Sequence, residues 1–182
     1  MLLMSERKSK NYMEIERKFT IKTLPENLEQ FESKIIEQAY LNTNPVIRIR
    51  KQDEEYYLTY KGKGLLAREE YNLPLNKEAY YHLREKADGN IISKKRYLIP
   101  IVMPSFHEDS IYAAAKEKKI PSLTIELDLF DPPFSPLIIA EVEFSSEEMA
   151  EAFIAPAWFM DDVTYDSNYH NSTLSRIPFP EK

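Results

Sequence analysis

Apolar and polar side chains alternate along most of this chain. In "MEIERKFTI", Met13, Ile15, Phe19 and Ile21 share one face of an extended segment. Glu14, Glu16 and Lys18 share the other, and Arg17 is the lone charge among the apolar set. The alternation predicts a strand over 13–21. In "PENLEQFESKIIEQAYL" a helical turn opened by Pro25 passes into an extended stretch ending near Leu41. "PVIRIRKQ" and "EEYYLTYKGKG" are alternating strands around a short acidic turn at 52–55. "LLAREEYNLPL" continues the run with hairpin-length connections.

Helical spacing first shows in "NKEAYYHLREKA", where Asn76 is the cap and Tyr80, Leu83 and Ala87 share a face. "DGNIISKKRYLIPI" is a turn and another strand. "HEDSIYAAAKEKK" predicts a short polar helix between Pro104 and Pro121. The strands "SLTIELDLF" and "PLIIAEVEFS" flank a Pro-rich turn at 131–136. "SSEEMAEAFIAP" predicts a helix with a Ser cap and acids in its first turn, and "NYHNSTLSR" a last short helix. The count is about eight strands, an α+β chain that is mainly β. Residues 1–12 are expected to be a flexible N-terminal tail. With no repeat and no linker beyond it, residues 13–182 are expected to form one domain, a single antiparallel sheet or barrel.

The strands share an unusual phase. Arg48 and Arg50 lie together on a face opposite Ile47 and Ile49. The same holds for Lys61 with Lys63, Arg68 with Glu70, and Lys94 with Arg96. Glu126 and Asp128 oppose Ile125 and Leu127, and Glu141 and Glu143 oppose Ala140 and Val142. One such face is ordinary, because antiparallel sheets commonly face water on one side. Over seven strands the polar face is almost purely charged, with acids on the first and last strands and bases mostly on the middle ones.

Composition narrows the chemistry. The chain has no Cys, which excludes disulfides, thiolate nucleophiles and Cys-ligated zinc. G-x-G-x-x-G and P-loop motifs are absent. A net charge of −6 gives no general attraction to nucleic acid, although converging basic clusters can still bind a polyanion. No stretch has the length of a membrane span and the first residues lack a signal-peptide core, so a cytoplasmic protein with no membrane partner is expected.

If the sheet closes, the first and last strands become neighbours. Glu14, Glu16, Glu141 and Glu143 then meet on one wall beside Glu126 and Asp128. Such a cluster is costly unless a cation neutralises it, and a hard divalent ion with oxygen ligands does so. The opposite wall carries Arg48, Arg50, Lys61, Lys94 and Arg96, a clamp for a polyanion. Acids for a metal and bases for phosphate suit a metal–polyphosphate ligand.

The motifs resemble those of the CYTH superfamily, the triphosphate tunnel metalloenzymes. The signature E-x-E-x-K stands at Glu14, Glu16 and Lys18. "RIR", "YKGKG", "REE", "KKRY", "ELD" and "EVE" follow in the family order, and "DVTYDSNYHNSTL" is similar to the closing segment at Thr164, Asp166, Tyr169, Asn171 and Leu174. The resemblance runs from about Met13 to Leu174. It implies a closed, roughly eight-stranded antiparallel β-barrel enclosing a charged tunnel, with helices outside. It implies hydrolysis or cyclisation of a triphosphate with Mg²⁺ or Mn²⁺. Glu14, Glu16, Asp128, Glu141 and Glu143 would hold metal. Glu126, Asp128 and Lys18 would serve catalysis. Lys18, Arg48, Arg50, Lys61, Lys63, Arg68, Glu70, Lys94 and Arg96 would contact substrate, although "GKG" also reads as a turn. Three departures stand out: Asn72 where a second acid often follows "REE", a long connection over 101–121, and Tyr165 where the closing segment commonly has Gly.

The expected function is a triphosphatase, with tripolyphosphate ahead of ATP and thiamine triphosphate as partner, and a homodimer left open. The alternatives are an adenylate cyclase making cyclic AMP and a non-catalytic polyphosphate- or nucleotide-binding module. No base-specificity set announces a cyclase, and a carboxylate wall is superfluous for anion binding alone. His82, His107 and His170 have no metal-site spacing and are expected in structural or surface roles. Tyr56, Tyr57 and Tyr60 are expected in the core or barrel wall, Trp158 against a helix end, and Arg17 on the surface.

Overall fold

The computed structural model describes residues 13–112 and 122–178. The tail expected over 1–12 lies outside the described residues, as does part of the helix expected over 107–119. The described part of that helix, 107–112, forms turns.

The strands are β1 (Met13–Ile21), β2 (Glu32–Thr43), β3 (Val46–Gln52), β4 (Glu55–Lys61), β5 (Ala67–Pro74) and β6 (Asp88–Ile101). They continue with β7 (Ser105–Phe106), β8 (Leu123–Phe130), β9 (Ile138–Glu143), β10 (Phe153–Ile154) and β11 (Phe159–Asp162). The helices are α1 (Lys77–Arg84), α2 (Glu147–Ala152) and α3 (Asn171–Leu174). Strand order is β1-β5-β4-β3-β2-β6-β8-β9, and β9 pairs back on β1 to close an antiparallel barrel of eight strands. Across the closing seam Glu16 stands opposite Glu143 and Lys18 opposite Glu141. The expected meeting of first and last acidic strands is therefore real.

Period-2 alternation explains the two sides of the wall. Odd positions of β1, such as Ile15 and Phe19, point outward into a core shared with Ile125, Leu127, Val142, Met149 and Phe153. On the other flank α1 lays Tyr80 over Ala39 and Ile49, all fully buried. Burying a side chain such as Ile49 contributes ~1.5–3 kcal/mol. Asn76 caps α1 by accepting a 2.7 Å hydrogen bond from the Ala79 N–H, as its sequence predicts.

Three local features differ from expectation. The helix expected over 145–156 stops at Ala152, because Phe153 turns into the core and pairs with Phe106 in a two-stranded ribbon. Strand β11 has no alternation to announce it; only Phe159 is buried while Met160, Asp161 and Asp162 are exposed. Arg17 is not a free surface residue. Its guanidinium bonds Asp162 at 2.5 and 3.1 Å and the carbonyls of Ala150 and Phe153 at 2.8 and 3.0 Å, tying β1 to α2 and β11.

The barrel interior is not uniform. Toward the end holding the starts of β3, β6 and β9, its inward positions become apolar: Tyr40, Ile92, Phe130 and Ile139. Leu174 of α3 and Phe134 join this cluster and fill that end.

Candidate active site

The inward faces enclose a cavity of about 170 Å³. Its wall is a continuous belt of ion pairs. Lys61 Nζ lies 2.7 Å from Glu70 and 2.6 Å from Glu14. Arg68 spans Glu14 at 2.9 Å and Glu16 at 2.8 Å. Lys18 Nζ is 3.0 Å from Glu16 and also pairs with Glu141. Arg96 joins Glu141 and Asp128, each at 2.6 Å, and also pairs with Glu126. Lys94 closes the series on Asp128. Strand pairing builds the belt, since Glu14 stands opposite Arg68, Lys61 opposite Glu70 and Arg96 opposite Asp128.

Strand β3 is different. Arg48 Nη2 reaches only Thr59 Oγ1, at 3.5 Å, and Arg50 Nη1 only the Tyr57 hydroxyl, at 3.3 Å. Both Nε atoms are buried without a hydrogen-bond partner. Among the described residues neither arginine forms an ion pair with a carboxylate. Burial, and then Arg50, lower the pKa of Arg48, as expected for cations packed together without an anion. Unsatisfied buried donors of this kind are costly unless a ligand fills them.

The acids have an equivalent gap. Glu14, Glu16 and Glu143 bring ligand oxygens within 4.8 Å of one another. Glu14 and Glu16 have cationic partners, but Glu143, the exposed member of the three, is pushed up to about 7 by partial loss of hydration and then by Glu126, Glu14 and Glu16. Glu141 goes the other way: burial opposes its charge, yet Lys18 and Arg96 hold it well below the usual carboxylate range. Burial likewise opposes charge on Glu70, but Lys61 holds it at about 2. Three converging carboxylates, one of them lacking a cation, fit a hard divalent ion.

The model of the CYTH domain matches residues 12–172. The chain belongs to the CYTH family. An inorganic triphosphatase of Nitrosomonas europaea is 34% identical over 166 residues, covering 89% of this chain and 96% of that protein. One from Acetivibrio thermocellus is 28% identical over 176 residues, covering 91% of this chain and 95% of that protein. A solved inorganic triphosphatase structure, 32% identical, superposes with a TM-score of 0.60 and covers 91% of this chain and 97% of its own.

Most of the residues expected from the CYTH motifs converge. Glu14, Glu16, Lys18, Arg48, Arg50, Lys61, Arg68, Glu70, Arg96, Glu126, Glu141 and Glu143 all line the cavity. The acids and bases do not occupy opposite walls, however. Lys94 and Arg96 sit on β6 beside the acidic β8, so bases and acids interleave. Asp128 is fully buried behind Arg96 and Lys94, accepts hydrogen bonds from both and does not line the cavity. Lys94 is also outside the lining; burial lowers its pKa to about 8 against the pull of Asp128. Lys63 is exposed in the turn after β4, where the chain has left the barrel.

The expected set omitted Lys34, Tyr40, Gln52 and His170, which also line the cavity. His170 is buried, with Nε2 3.4 Å from the Thr164 carbonyl, and burial followed by Lys18 lowers its pKa. No spacing could announce it, because it arrives on a segment folded back from the far end of the chain. Tyr57 is a wall residue as expected, on the inner side, whereas Tyr60 packs outside against Tyr71 at 6.1 Å.

Proposed function

We propose that this CYTH protein is a divalent-metal-dependent triphosphatase whose principal substrate is inorganic tripolyphosphate. The observation that carries the proposal is the pairing of two gaps in one cavity: two arginines without an anion, Arg48 buried and Arg50 partly so, and three glutamates without enough cations. A metal triphosphate supplies both. Relatives named inorganic triphosphatase cover nearly the whole chain and support the same substrate class.

Glu14, Glu16 and Glu143 would hold Mg²⁺ or Mn²⁺, which when bound neutralises phosphate charge and lowers the pKa of a water. Arg48 and Arg50 meet the phosphates first, because they have no partner to surrender. Lys18, Lys61, Arg68 and Arg96 join as their carboxylates are drawn elsewhere. These cations stabilise charge on the phosphoryl oxygens in the transition state. Water attacks the terminal phosphorus, and the bridging P–O bond breaks with its electron pair on the departing pyrophosphate oxygen. Glu126, a partly exposed cavity carboxylate outside the three-glutamate cluster, accepts the water's proton. Asp128 orients Arg96 and Lys94. Glu70 holds Lys61 in place instead of touching phosphate. ATP and thiamine triphosphate are secondary substrates. No helix among the described residues is long and apolar enough to cross a membrane, and a cytoplasmic site of action suits the proposal.

The test is phosphate release from tripolyphosphate, ATP and thiamine triphosphate with Mg²⁺ or Mn²⁺. One orthophosphate and one pyrophosphate from each tripolyphosphate are expected. Inertness toward all three would refute the proposal.

A further inference from the structure

Three side chains on neighbouring strands form a row across the barrel wall. Arg48 on β3 stands opposite Thr59 on β4, and Thr59 stands opposite Asn72 on β5. Cross-strand partners of this kind lie on one face and within reach of one another. The row is hydrogen-bonded along its length. Arg48 Nη2 donates to Thr59 Oγ1 at 3.5 Å, Thr59 Oγ1 donates to Asn72 Oδ1 at 2.6 Å, and Asn72 Nδ2 donates to Glu70 Oε1 at 2.7 Å.

The direction of each bond is set from the anionic end. Glu70 stays a carboxylate despite burial, because Lys61 holds it charged. A carboxylate can only accept, so the Asn72 amide turns Nδ2 toward it. Oδ1 then faces Thr59 and takes the one hydroxyl proton that Thr59 has. Thr59 Oγ1 is left with lone pairs for Arg48, whose guanidinium can only donate. Thr59 is fully buried and Arg48 nearly so.

Two neutral side chains therefore separate the Glu70 charge from Arg48. Burial and Arg50 dominate the surroundings of Arg48; of the carboxylates, Glu70 acts on it most, ahead of Glu14. Asn72 lies outside the cavity lining, on the wall of a recess of about 500 Å³ that it shares with Arg50, Glu70, Tyr57, Glu54 and Glu55. A negative charge at position 72 would stand in the same recess as Arg50 and one side chain away from Arg48.

We infer that Asn72 is a positioning residue: it lets the wall hold Arg48 through a neutral hydrogen-bonded row in place of an ion pair, so that the guanidinium faces the cavity with its charge uncompensated. The inference rests on the triphosphatase reading and deepens it. Lys18, Lys61 and Arg68 are held by carboxylates and must exchange a partner to meet a phosphate. Arg48 is held as well, yet by a hydroxyl, and an incoming phosphate has no ion pair to break there. Asn72 does this without touching phosphate.

The experiment is calorimetric titration of the metal-free full chain with tripolyphosphate, joined to melting temperatures and to steady-state kinetics with Mg²⁺. Asn72→Asp supplies the anion that β3 lacks. Tripolyphosphate should bind it about tenfold more weakly, with KM raised to match and kcat little changed, while the melting temperature holds or rises. Asn72→Leu cuts the row and adds no charge. It should raise KM several-fold, but by less than about twofold when Thr59 is already replaced in Thr59→Val, because both changes break one chain of bonds. Unchanged affinity in Asn72→Asp, or a loss of affinity together with a lowered melting temperature, would overturn the inference and leave the triphosphatase proposal standing. Additive effects of Asn72→Leu and Thr59→Val would overturn it too. Failure of the parent chain to bind tripolyphosphate would overturn both.

Discussion

The closing seam of β1 and β9 and the strand β3 both carry buried charge, but they resolve it differently. Along the seam each cation has a carboxylate, as Lys18 has Glu16 and Glu141. On β3, Arg48 and Arg50 have only a hydroxyl each. Buried ion pairs contribute little net stability, but breaking one by removing a partner is expensive. Unpaired buried cations cost stability at all times. The seam is thus held by its own neutralisation, whereas β3 is kept in a costly state that only an anion relieves. The difference separates residues that hold the barrel from residues that wait for substrate.

Removing Arg96 attacks the paired side. Arg96→Met leaves Asp128 with Lys94 alone, Glu141 with Lys18 alone and Glu126 without a cation, and urea denaturation should show a loss of about 3 kcal/mol. Next in size is Glu16→Gln, which keeps the shape but removes one of three converging carboxylates. Its kcat for tripolyphosphate should fall about 100-fold or more with far-ultraviolet circular dichroism unchanged; full activity would remove Glu16 from the metal site. Arg50→Ala should raise KM about tenfold, the size of one charge-assisted hydrogen bond. Arg48→Met sharpens the contrast, because it should raise the melting temperature of the ligand-free protein, by about 1 kcal/mol of stability, while weakening substrate binding. A lowered melting temperature would mean that Arg48 has a structural partner.

The smallest effect concerns Glu143. Its folded pKa is about 7, above the ordinary 4.5, so the native state keeps a proton that the unfolded chain releases. In metal-free protein this group's contribution therefore favours the fold at low pH and is lost as pH rises from about 4.5 through about 7. Melting temperatures across that window should show a decline that Glu143→Gln lessens.

Much of this was legible in the sequence because strand periodicity fixes which side chains share a face. The pairs Glu14/Glu16, Arg48/Arg50 and Glu141/Glu143 all reach one cavity as their phase predicts. What period alone cannot supply is which strand leans on which. Strand tilt in a closed barrel offsets neighbours, so Arg96 reaches Glu141 two strands away and the bases are not segregated from the acids. Nor does phase give depth: Asp128 and Lys94 share the charged face but lie behind Arg96 or beside it, out of the cavity. Tyr40 was hidden by an irregular register between it and Asn42. His170 and the sealed end depend on Gly89 admitting the C-terminal segment, a contact spanning the length of the barrel sequence.

The most direct test of the central contrast is tripolyphosphate binding to metal-free protein by isothermal titration calorimetry. The parent chain is compared with an Arg48→Met, Arg50→Met double variant. The parent should bind, since the β3 arginines need no metal to become available, and the double variant should bind at least about 100-fold more weakly while melting no lower. Equal affinity in the two proteins would contradict the account.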